Sequence, residues 1–360
     1  MAHAWDNASY PKRAQALVQS ANIDANLAHC PTLLVITDAN AIAKADIASK
    51  RYQIYDHNGT EMPYAERVYT EGATYLNAKI FVAGSSTTLY ASPTGDQNKF
   101  WIYYGDYDPG SDQDDPTNVW DSYYKGVWPM DEASGHLIDE TSNSNDSTVE
   151  SNLTYGQTGK IGNAVDFNGS SSYATIPHSA DWAMAGDFSI ECWADTDLTD
   201  YYGMLIYHYD AGTKDGFALW QYTTGSGQWR LRVWVSDVSA TPASNAAPTT
   251  DYTHLAATRV SGTLTLYVNG VAQTVTASLS GAIDSSGVLA FGRHNNDASR
   301  YFNGRMGESR ISNGVGRSVA WLKFQVANVH ESDHEQTWSA EEDKPSGSAL
   351  PLRCLMGAGL

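Results

Sequence analysis

Basic residues are scarce in this sequence. The 360 residues include 22 Lys and Arg against 41 Asp and Glu, which gives a net charge of −19. A polyanionic chain repels phosphate backbones and anionic lipid surfaces. The charge balance therefore excludes general nucleic-acid binding, and it argues against a role at a membrane surface.

Cysteine is also rare, with Cys30, Cys192 and Cys354 as the three copies. An odd number at wide spacings indicates neither a disulfide framework nor a zinc ribbon. Cys30 and Cys192 stand in apolar, strand-like runs. We expect both to be small buried side chains rather than reactive thiols.

Long apolar runs and a leader are lacking. The sequence begins MAHAWDNASYPKR, without the basic start and apolar segment of a secretory signal peptide. No stretch approaches the length of a membrane-spanning helix. We expect a protein that neither inserts into a membrane nor follows the general secretory route.

Short strand-like runs separated by turn residues are present instead. Charged residues make up 18% and aromatic residues 11% of the chain, a composition typical of antiparallel β-proteins. The chain is longer than one sandwich core requires. We predict an all-β fold of two tandem antiparallel β-sandwiches, the second a jelly roll, with a short C-terminal helix and an irregular tail.

The predicted organisation follows from where these runs occur. The clearest strand-like runs are 32–36, 51–55, 79–82, 87–90, 100–104, 164–167, 188–193, 204–209, 217–222, 229–235, 254–258, 264–268 and 288–291. A short helix is possible at 38–50, with Asp38 as its N-cap, and another at 317–327. The predicted units are an N-terminal sandwich at 1–110, an acidic linker at 111–125, a jelly roll at 126–316, and a helix and tail at 317–360.

The second unit resembles the LamG-like jelly rolls of the concanavalin A-like lectin and glucanase superfamily. The segments that carry the resemblance are WPMDE (128–132), IDETS (138–142), GKIGNAVDFNG (159–169), FSIECW (188–193), HLAATRVSGTLTLYVNGV (254–271), GRMGESRIS (304–312) and RSVAW (317–321). The resemblance implies a two-sheet jelly roll suited to display on a surface.

The N-terminal unit resembles a different family, the domain of unknown function 2341. The segments are YPKR (10–13), CPTLLV (30–35), DHNGTEMPYAE (56–66) and FWIYYGD (100–106). Members of that family precede LamG-type modules in bacterial and phage surface proteins. The resemblance implies architecture, and it implies no chemistry.

Catalytic motifs are poorly represented. Concanavalin-type glucanases carry a Glu-x-Asp-x-Glu run on one strand, which places two carboxylates on one face, and this run is absent here. Residues 330–334 (HESDH) fit His-Glu-x-x-His, but Ser332 stands where a zinc protease has a large apolar residue, and no third ligand follows. We expect a chance spacing in a solvated tail helix, and a protein that is not an enzyme.

Calcium is the one cofactor that the sequence leaves open. LamG-type domains often hold a structural calcium through an aspartate of the closing strand, and Gly307 occupies that place here. A weak alternative is the set of linker aspartates Asp106, Asp108, Asp112 and Asp114. We expect no bound metal, with a solvated acidic linker as the default.

Alternation in two runs predicts a shared surface. In 229–235 the apolar Trp229, Leu231, Val233 and Val235 point inward, and in 217–222 Phe217 and Leu219 do so. The residues predicted to face outward together are Trp220, Tyr222, Arg230, Arg232 and Trp234. Two alternatives stay open for this face: a domain or subunit interface, which the composition slightly favours, and a glycan-binding surface.

These observations predict a non-catalytic structural protein of a phage virion, such as a capsid decoration, a fibre or a tail appendage. A virion protein assembles in the host cytoplasm and needs neither leader nor membrane anchor. Its partners would be other virion subunits, other copies of itself and a host-surface glycan. The alternative is a secreted, extracellular bacterial carbohydrate-binding protein or adhesin, and a polysaccharide depolymerase is a weaker one.

Overall fold

A computed structural model of the chain describes most of its residues. The described residues are 5, 9–37, 40, 52–71, 76–84, 87–105, 114–197, 202–222, 227–245, 247–295, 300–330 and 334–345. The helix predicted at 38–50 lies outside these ranges, apart from Asn40.

The N-terminal sandwich is formed by short antiparallel strands. Its strands are β1 (Lys12–Val18), β2 (Leu27–Ala28), β3 (Thr32–Ile36), β4 (Gln53–Tyr55), β5 (Glu61–Met62), β6 (Tyr64–Glu71), β7 (Leu76–Val82), β8 (Thr88–Leu89) and β9 (Lys99–Tyr104). One sheet contains β1, β9, β4 and β5, another contains β3, β7 and β6, and β2 pairs with β8. The first two sheets share an apolar core that includes Ala16, Leu34, Ile80 and Ile102.

The second unit is a larger sandwich of two antiparallel sheets. Its strands are β10 (Tyr124–Trp128), β11 (Val149–Ser151), β12 (Thr154–Thr158), β13 (Asn163–Asn168), β14 (Tyr173–Ile176), β15 (Phe188–Ala194), β16 (Tyr202–Asp210), β17 (Asp215–Tyr222), β18 (Gln228–Val235), β19 (Val238–Ala240), β20 (Thr253–Val260), β21 (Thr263–Val268), β22 (Val271–Ala272), β23 (Ala277–Ser278), β24 (Leu289–Phe291) and β25 (Asn303–Asn313). We call the sheet ordered β12-β13-β25-β15-β20-β21-β22 the interface sheet. The sheet ordered β11-β14-β24-β16-β17-β18-β19 is called the cleft sheet.

Strict alternation builds the core between these two sheets. Ile190 of β15 and Leu255 of β20 come from the interface sheet, and Phe217 and Leu231 come from the cleft sheet. Successive side chains of a strand point to opposite faces, so each inward residue leaves its neighbours to the outer face. The predicted all-β fold with a jelly roll is confirmed.

The interface sheet is buried on its outer face as well. Helix α1 (Val319–His330) and the N-terminal sandwich cover it. Ala256 and Tyr267 of this sheet share one apolar cluster with Trp321 and Leu322 of α1 and with the N-terminal core. The N-terminal sandwich therefore packs against the side of the jelly roll that is opposite to the cleft sheet.

An ionic cluster is enclosed in this contact. Glu308 of β25 accepts hydrogen bonds from Arg67 Nε at 2.8 Å and from Arg310 Nε at 2.6 Å. Arg67 also forms a two-pronged ion pair with Glu140, in which Nη1 lies 2.6 Å from Oε1 and Nη2 lies 2.7 Å from Oε2. Burial would raise the pKa of Glu308, but Arg310 and Arg67 hold it below its usual value. Each of these buried charges thus has an oppositely charged partner within the cluster.

Part of the predicted linker is buried in the same contact. Trp120 is 5% exposed, and its ring lies 5.7 Å from Phe81 and 5.3 Å from Tyr124. Its Nε1 donates a hydrogen bond to Glu140. The expectation of a solvated linker is wrong for Val119, Trp120 and Tyr124, because these apolar side chains fill the space between the two units. The exact domain boundaries stay a prediction.

The C-terminal tail contributes strands that the sequence patterns did not indicate. They are β26 (Gln336–Trp338) and β27 (Glu342–Asp343), and both pair antiparallel with β1. Arg13 of β1 forms an ion pair with Glu342 at 2.8 Å. The tail thus completes the N-terminal sheet after the chain has passed through the jelly roll.

The prediction that Cys30 and Cys192 are buried side chains is confirmed. Cys30 and Cys192 are buried free thiols, and burial raises the pKa of both. Cys354 lies outside the described residues. Of the described helices, none has the length and hydropathy needed to cross a membrane.

Replacing Arg67 tests the ionic cluster. We expect Arg67→Met to lower the free energy of unfolding by about 3–5 kcal/mol. The substitution leaves Glu140 without its ion-pair partner, and it removes one of the two arginines that pair with Glu308. Urea unfolding at pH 7 measures this. Lys214→Met, which removes the exposed ion pair between Lys214 and Asp237, is the matched control and should change little. A loss no larger than that of the control would contradict the role given to the cluster.

Replacing His208 tests a buried titratable group. Burial lowers the pKa of His208 to about 4, so the folded protein favours the neutral imidazole. Its contribution to stability is complete above the ordinary pKa of about 6.5 and is lost as the pH falls toward 4. Between pH 6.5 and 4 we expect the free energy of unfolding of the wild type to fall by about 3 kcal/mol relative to that of His208→Gln. Urea unfolding at a series of pH values measures this difference.

His136 supplies a control of opposite sign. It is exposed, and its pairing with Glu150 raises its pKa. Acidification should therefore raise the free energy of unfolding of the wild type relative to that of His136→Gln. Parallel pH profiles for wild type and His208→Gln would show that His208 is not held neutral.

Candidate functional site

The residues predicted to share an outer face lie on adjacent strands of the cleft sheet. Strand β17 pairs with β18 so that Trp220 stands opposite Arg230, and Ala218 stands opposite Arg232. The inward neighbours Phe217, Leu219, Trp229, Leu231 and Val233 belong to the jelly-roll core. The alternation predicted for both runs is confirmed, and all five predicted residues lie on the outer face.

Strand β16 supplies further residues that the sequence analysis missed. It pairs with β17 on the side away from β18, and its Tyr202 and Tyr207 join the outer aromatic cluster with Trp220 and Trp234. His294 and Arg300 reach the same place from the segment after β24. Proximity of these residues depends on strand order, which alternation within one run does not reveal.

Together these side chains line a cleft of about 150 Å³. Its described lining residues are Tyr202, Met204, Tyr207, Ala218, Trp220, Arg230, Arg232, Trp234, His294 and Arg300. The described lining is thus mostly aromatic and positively charged, and it includes no aspartate or glutamate. A pair of carboxylates suited to glycoside hydrolysis is therefore lacking among these residues.

Trp220 forms the floor of the cleft. It is 4% exposed, so its ring supports neighbouring side chains instead of offering a free face to solvent. Its Nε1–H is buried and has no hydrogen-bond acceptor among the described residues. An unsatisfied buried donor costs about 1–3 kcal/mol, so an acceptor that reached it would be bound favourably.

Arg232 lies between two tryptophans. Its guanidinium carbon is 5.5 Å from the ring centre of Trp220 and 5.4 Å from that of Trp234. Its Nε donates a hydrogen bond to Thr241 Oγ1 at 2.9 Å. Stacking and this hydrogen bond hold the planar group in one orientation, so little conformational entropy remains to be lost on binding.

Arg230 and Tyr222 form a second stacked pair at the edge of the cleft. The guanidinium carbon of Arg230 is 3.9 Å from the ring centre of Tyr222. The ring centres of Tyr222 and Tyr202 are 5.1 Å apart, and those of Tyr209 and Trp234 are 5.0 Å apart. Tyr222, Trp234 and Tyr202 are partly exposed. These rings, rather than Trp220, are the surfaces on which the apolar face of a sugar can stack.

The metal candidates of the sequence analysis gain no support. Asp106, Asp108 and Asp112 lie outside the described residues, and Asp114 accepts a hydrogen bond from the backbone N–H of Glu66. A Cβ at position 307 would lie 3.8 Å from Cβ of Trp193, within the contact between the two units. Among the described residues, no three His, Cys, Asp or Glu side chains are grouped to hold a metal ion.

The His-Glu-x-x-His spacing does not form a helical pair. Helix α1 ends at His330, and His334 has a φ of 52°, which is not helical. Residues 331–333 lie outside the described ranges. His330 lies 6.5 Å from Trp193, whereas the ring of His334 contacts the carbonyl of Asn328. The expected tail helix is therefore wrong at His334, and the geometry of a zinc-protease helix is lacking too.

A family model matches a large part of the jelly roll. Residues 168–317 match the model of the concanavalin A-like lectin/glucanases superfamily, and this stretch includes the cleft strands β16, β17 and β18. The match does not reach the N-terminal sandwich, whose resemblance to the domain of unknown function 2341 stays a prediction. Among curated proteins, none matches this chain.

Solved structures show similarity at low identity. Domain 4 of AbnA, an extracellular arabinanase from Geobacillus stearothermophilus solved with arabinotriose, is 22% identical, with 57% of this chain and 98% of that chain covered and a TM-score of 0.45. A pentraxin from Limulus polyphemus is 11% identical over 43% of this chain and 73% of its own, with a TM-score of 0.35. The binding domain of botulinum neurotoxin serotype D/C is 12% identical, with 58% of this chain and 52% of that chain covered and a TM-score of 0.46.

Proposed function

We propose that this chain is a non-catalytic glycan-binding protein whose cleft on the jelly roll contacts sugars of a host surface. The observation that carries the proposal is the aromatic and arginine-lined cleft, which lies in the domain that matches a lectin and glucanase superfamily. Partly exposed aromatic rings stack on the apolar faces of sugars, and arginines bind hydroxyls and carboxylates.

The position of the cleft supports this proposal. The N-terminal sandwich and α1 pack on the interface sheet, which leaves the cleft sheet on the other side of the jelly roll. Packing against the N-terminal sandwich therefore does not account for the aromatic cluster. A non-catalytic role is supported by a described cleft lining without carboxylates.

The same face could instead join copies of this chain. Trp, Tyr and Arg are the residues enriched in the energetic centres of protein interfaces, and all three are present here. In that case the cleft residues would become buried in an oligomer, and they would be unavailable to sugars. The two functions predict different effects of one cleft substitution: loss of sugar binding in the first case, and loss of the oligomer in the second.

Replacing Trp234 separates these functions. We expect the wild type to bind a subset of glycans on an array and to bind host cells. Trp234→Ala should weaken that binding about tenfold or more, because a central aromatic contact is worth more than 1 kcal/mol. Tyr123→Ala, which removes an exposed aromatic residue outside the cleft, is the matched control and should bind normally. Substitution of Trp220 would not separate them, because its side chain is buried and supports the fold.

The outcome that favours an interface is equally specific. If the wild type is an oligomer by analytical ultracentrifugation, binds no glycan or cell, and dissociates on Trp234→Ala, the cleft is a subunit contact. Loss of glycan binding with an unchanged oligomeric state would support the lectin function.

We further propose that the protein is displayed on a phage virion, as a decoration, fibre or tail appendage. This part rests on the resemblance of the tandem arrangement to phage and bacterial surface proteins. Mass spectrometry of purified particles should detect the chain at a fixed ratio to the capsid protein. Its absence from particles would leave a bacterial adhesin as the carrier of the same cleft.

A further inference from the structure

Positive charge is concentrated in the cleft of a strongly acidic protein. The net charge of the chain is −19, yet the described lining of the cleft holds Arg230, Arg232 and Arg300 and no carboxylate. A cleft of one charge sign with apolar walls focuses its field on the space within it. Such a local reversal of charge favours an anionic ligand.

Arg230 and Arg232 have no carboxylate partner among the described residues. Arg230 donates hydrogen bonds from Nε and Nη2 to the neutral Gln228, and Arg232 donates one from Nε to Thr241. Elsewhere in the described fold, buried Arg67, Arg310 and Arg317 form ion pairs with carboxylates, and buried Arg259 donates to three backbone carbonyls instead. Neither form of compensation is present at the two cleft arginines, whose described partners are neutral side chains and aromatic rings.

The environment of Arg232 is unfavourable for its charge. Burial is the main cause that lowers the pKa of its guanidinium, and the like charge of Arg230 is the next. A bound anion would relieve the repulsion between the two guanidinium groups. It would also meet planar donors that stacking already holds in place, so the geometry favours a two-pronged hydrogen bond to a carboxylate or sulfate.

We propose that the cleft selects sugars that carry an anionic group, a carboxylate or a sulfate, and that Arg230 and Arg232 are the residues that determine this specificity. The inference rests on the proposed function and names the substrate class of the same site. The apolar face of the sugar would stack on Trp234 or Tyr222, and the anionic group would contact the two guanidinium groups.

Matched pairs of ligands test this inference. Oligogalacturonate is compared with its methyl ester, and dextran sulfate with dextran, by titration calorimetry beside the glycan array. We expect each array sugar that binds to carry an anionic group, and the charged member of at least one pair to bind at least tenfold more tightly than the neutral one. That preference should weaken as salt is added, because screening reduces charge interactions. The two pairs distinguish a carboxylate from a sulfate.

Variants identify the residues that act. Arg232→Gln and Arg230→Gln should each reduce the preference for the charged ligand at least fivefold, while Arg232→Lys should keep part of it because the positive charge remains. Arg305→Gln removes the same charge from the interface sheet and is the matched control. Thermal unfolding of each variant checks that the fold is intact.

The outcomes separate the inference from the function beneath it. If sugars bind but neutral members bind as tightly as charged ones, or the glutamine variants keep the preference, the inference is overturned and the glycan-binding function remains. If no sugar on the array or in the pairs binds, the proposed function itself fails and takes the inference with it.

Discussion

Burial of the interface sheet on both of its faces is the constraint on which the arrangement of the whole molecule depends. A sheet that is covered on one side by its own sandwich can face water with its other side. Here the second side is covered by α1 and the N-terminal sandwich, so a polar group on it is costly unless it finds a partner inside the protein. Glu308 meets this requirement because Arg310 comes from its own strand and Arg67 comes from the N-terminal sandwich.

The same constraint explains where a ligand can bind. The interface sheet is committed to internal packing, which leaves the cleft sheet as the exposed broad face of the jelly roll. The two sheets also use arginine differently. On the interface sheet, Arg310 neutralises a buried carboxylate, whereas on the cleft sheet Arg232 is stacked between tryptophans. One arrangement closes a contact within the chain, and the other leaves a guanidinium without a described carboxylate partner beside the cleft.

Local patterns in the sequence predict a large part of this. Alternation in 217–222 and 229–235 places Trp220, Tyr222, Arg230, Arg232 and Trp234 on one face, because the period of a strand is independent of its surroundings. Strand pairing is not a local property, so Tyr202, His294 and Arg300 could not be assigned to the cleft. Burial of Trp220 was also not predictable, because it depends on neighbours from the adjacent strand. The buried Trp120 and the strand at Gln336–Trp338 were missed for the same reason: a short polar-looking segment acquires its structure from distant partners.

The pairing of β1 with β26 and β27 has a consequence for the order in which the protein can be built. β1 leaves the ribosome before its partners Gln336 and Glu342, which follow more than three hundred residues later. The N-terminal sheet therefore cannot reach its final form until that later segment has been made, although domains usually fold in the order of their synthesis. Such long-range pairing also slows folding, because a long loop must close before the contacts form. Among the described strands, that sheet contains none from the jelly roll, so the jelly roll can fold first and serve as the template on which β1 and β26 meet.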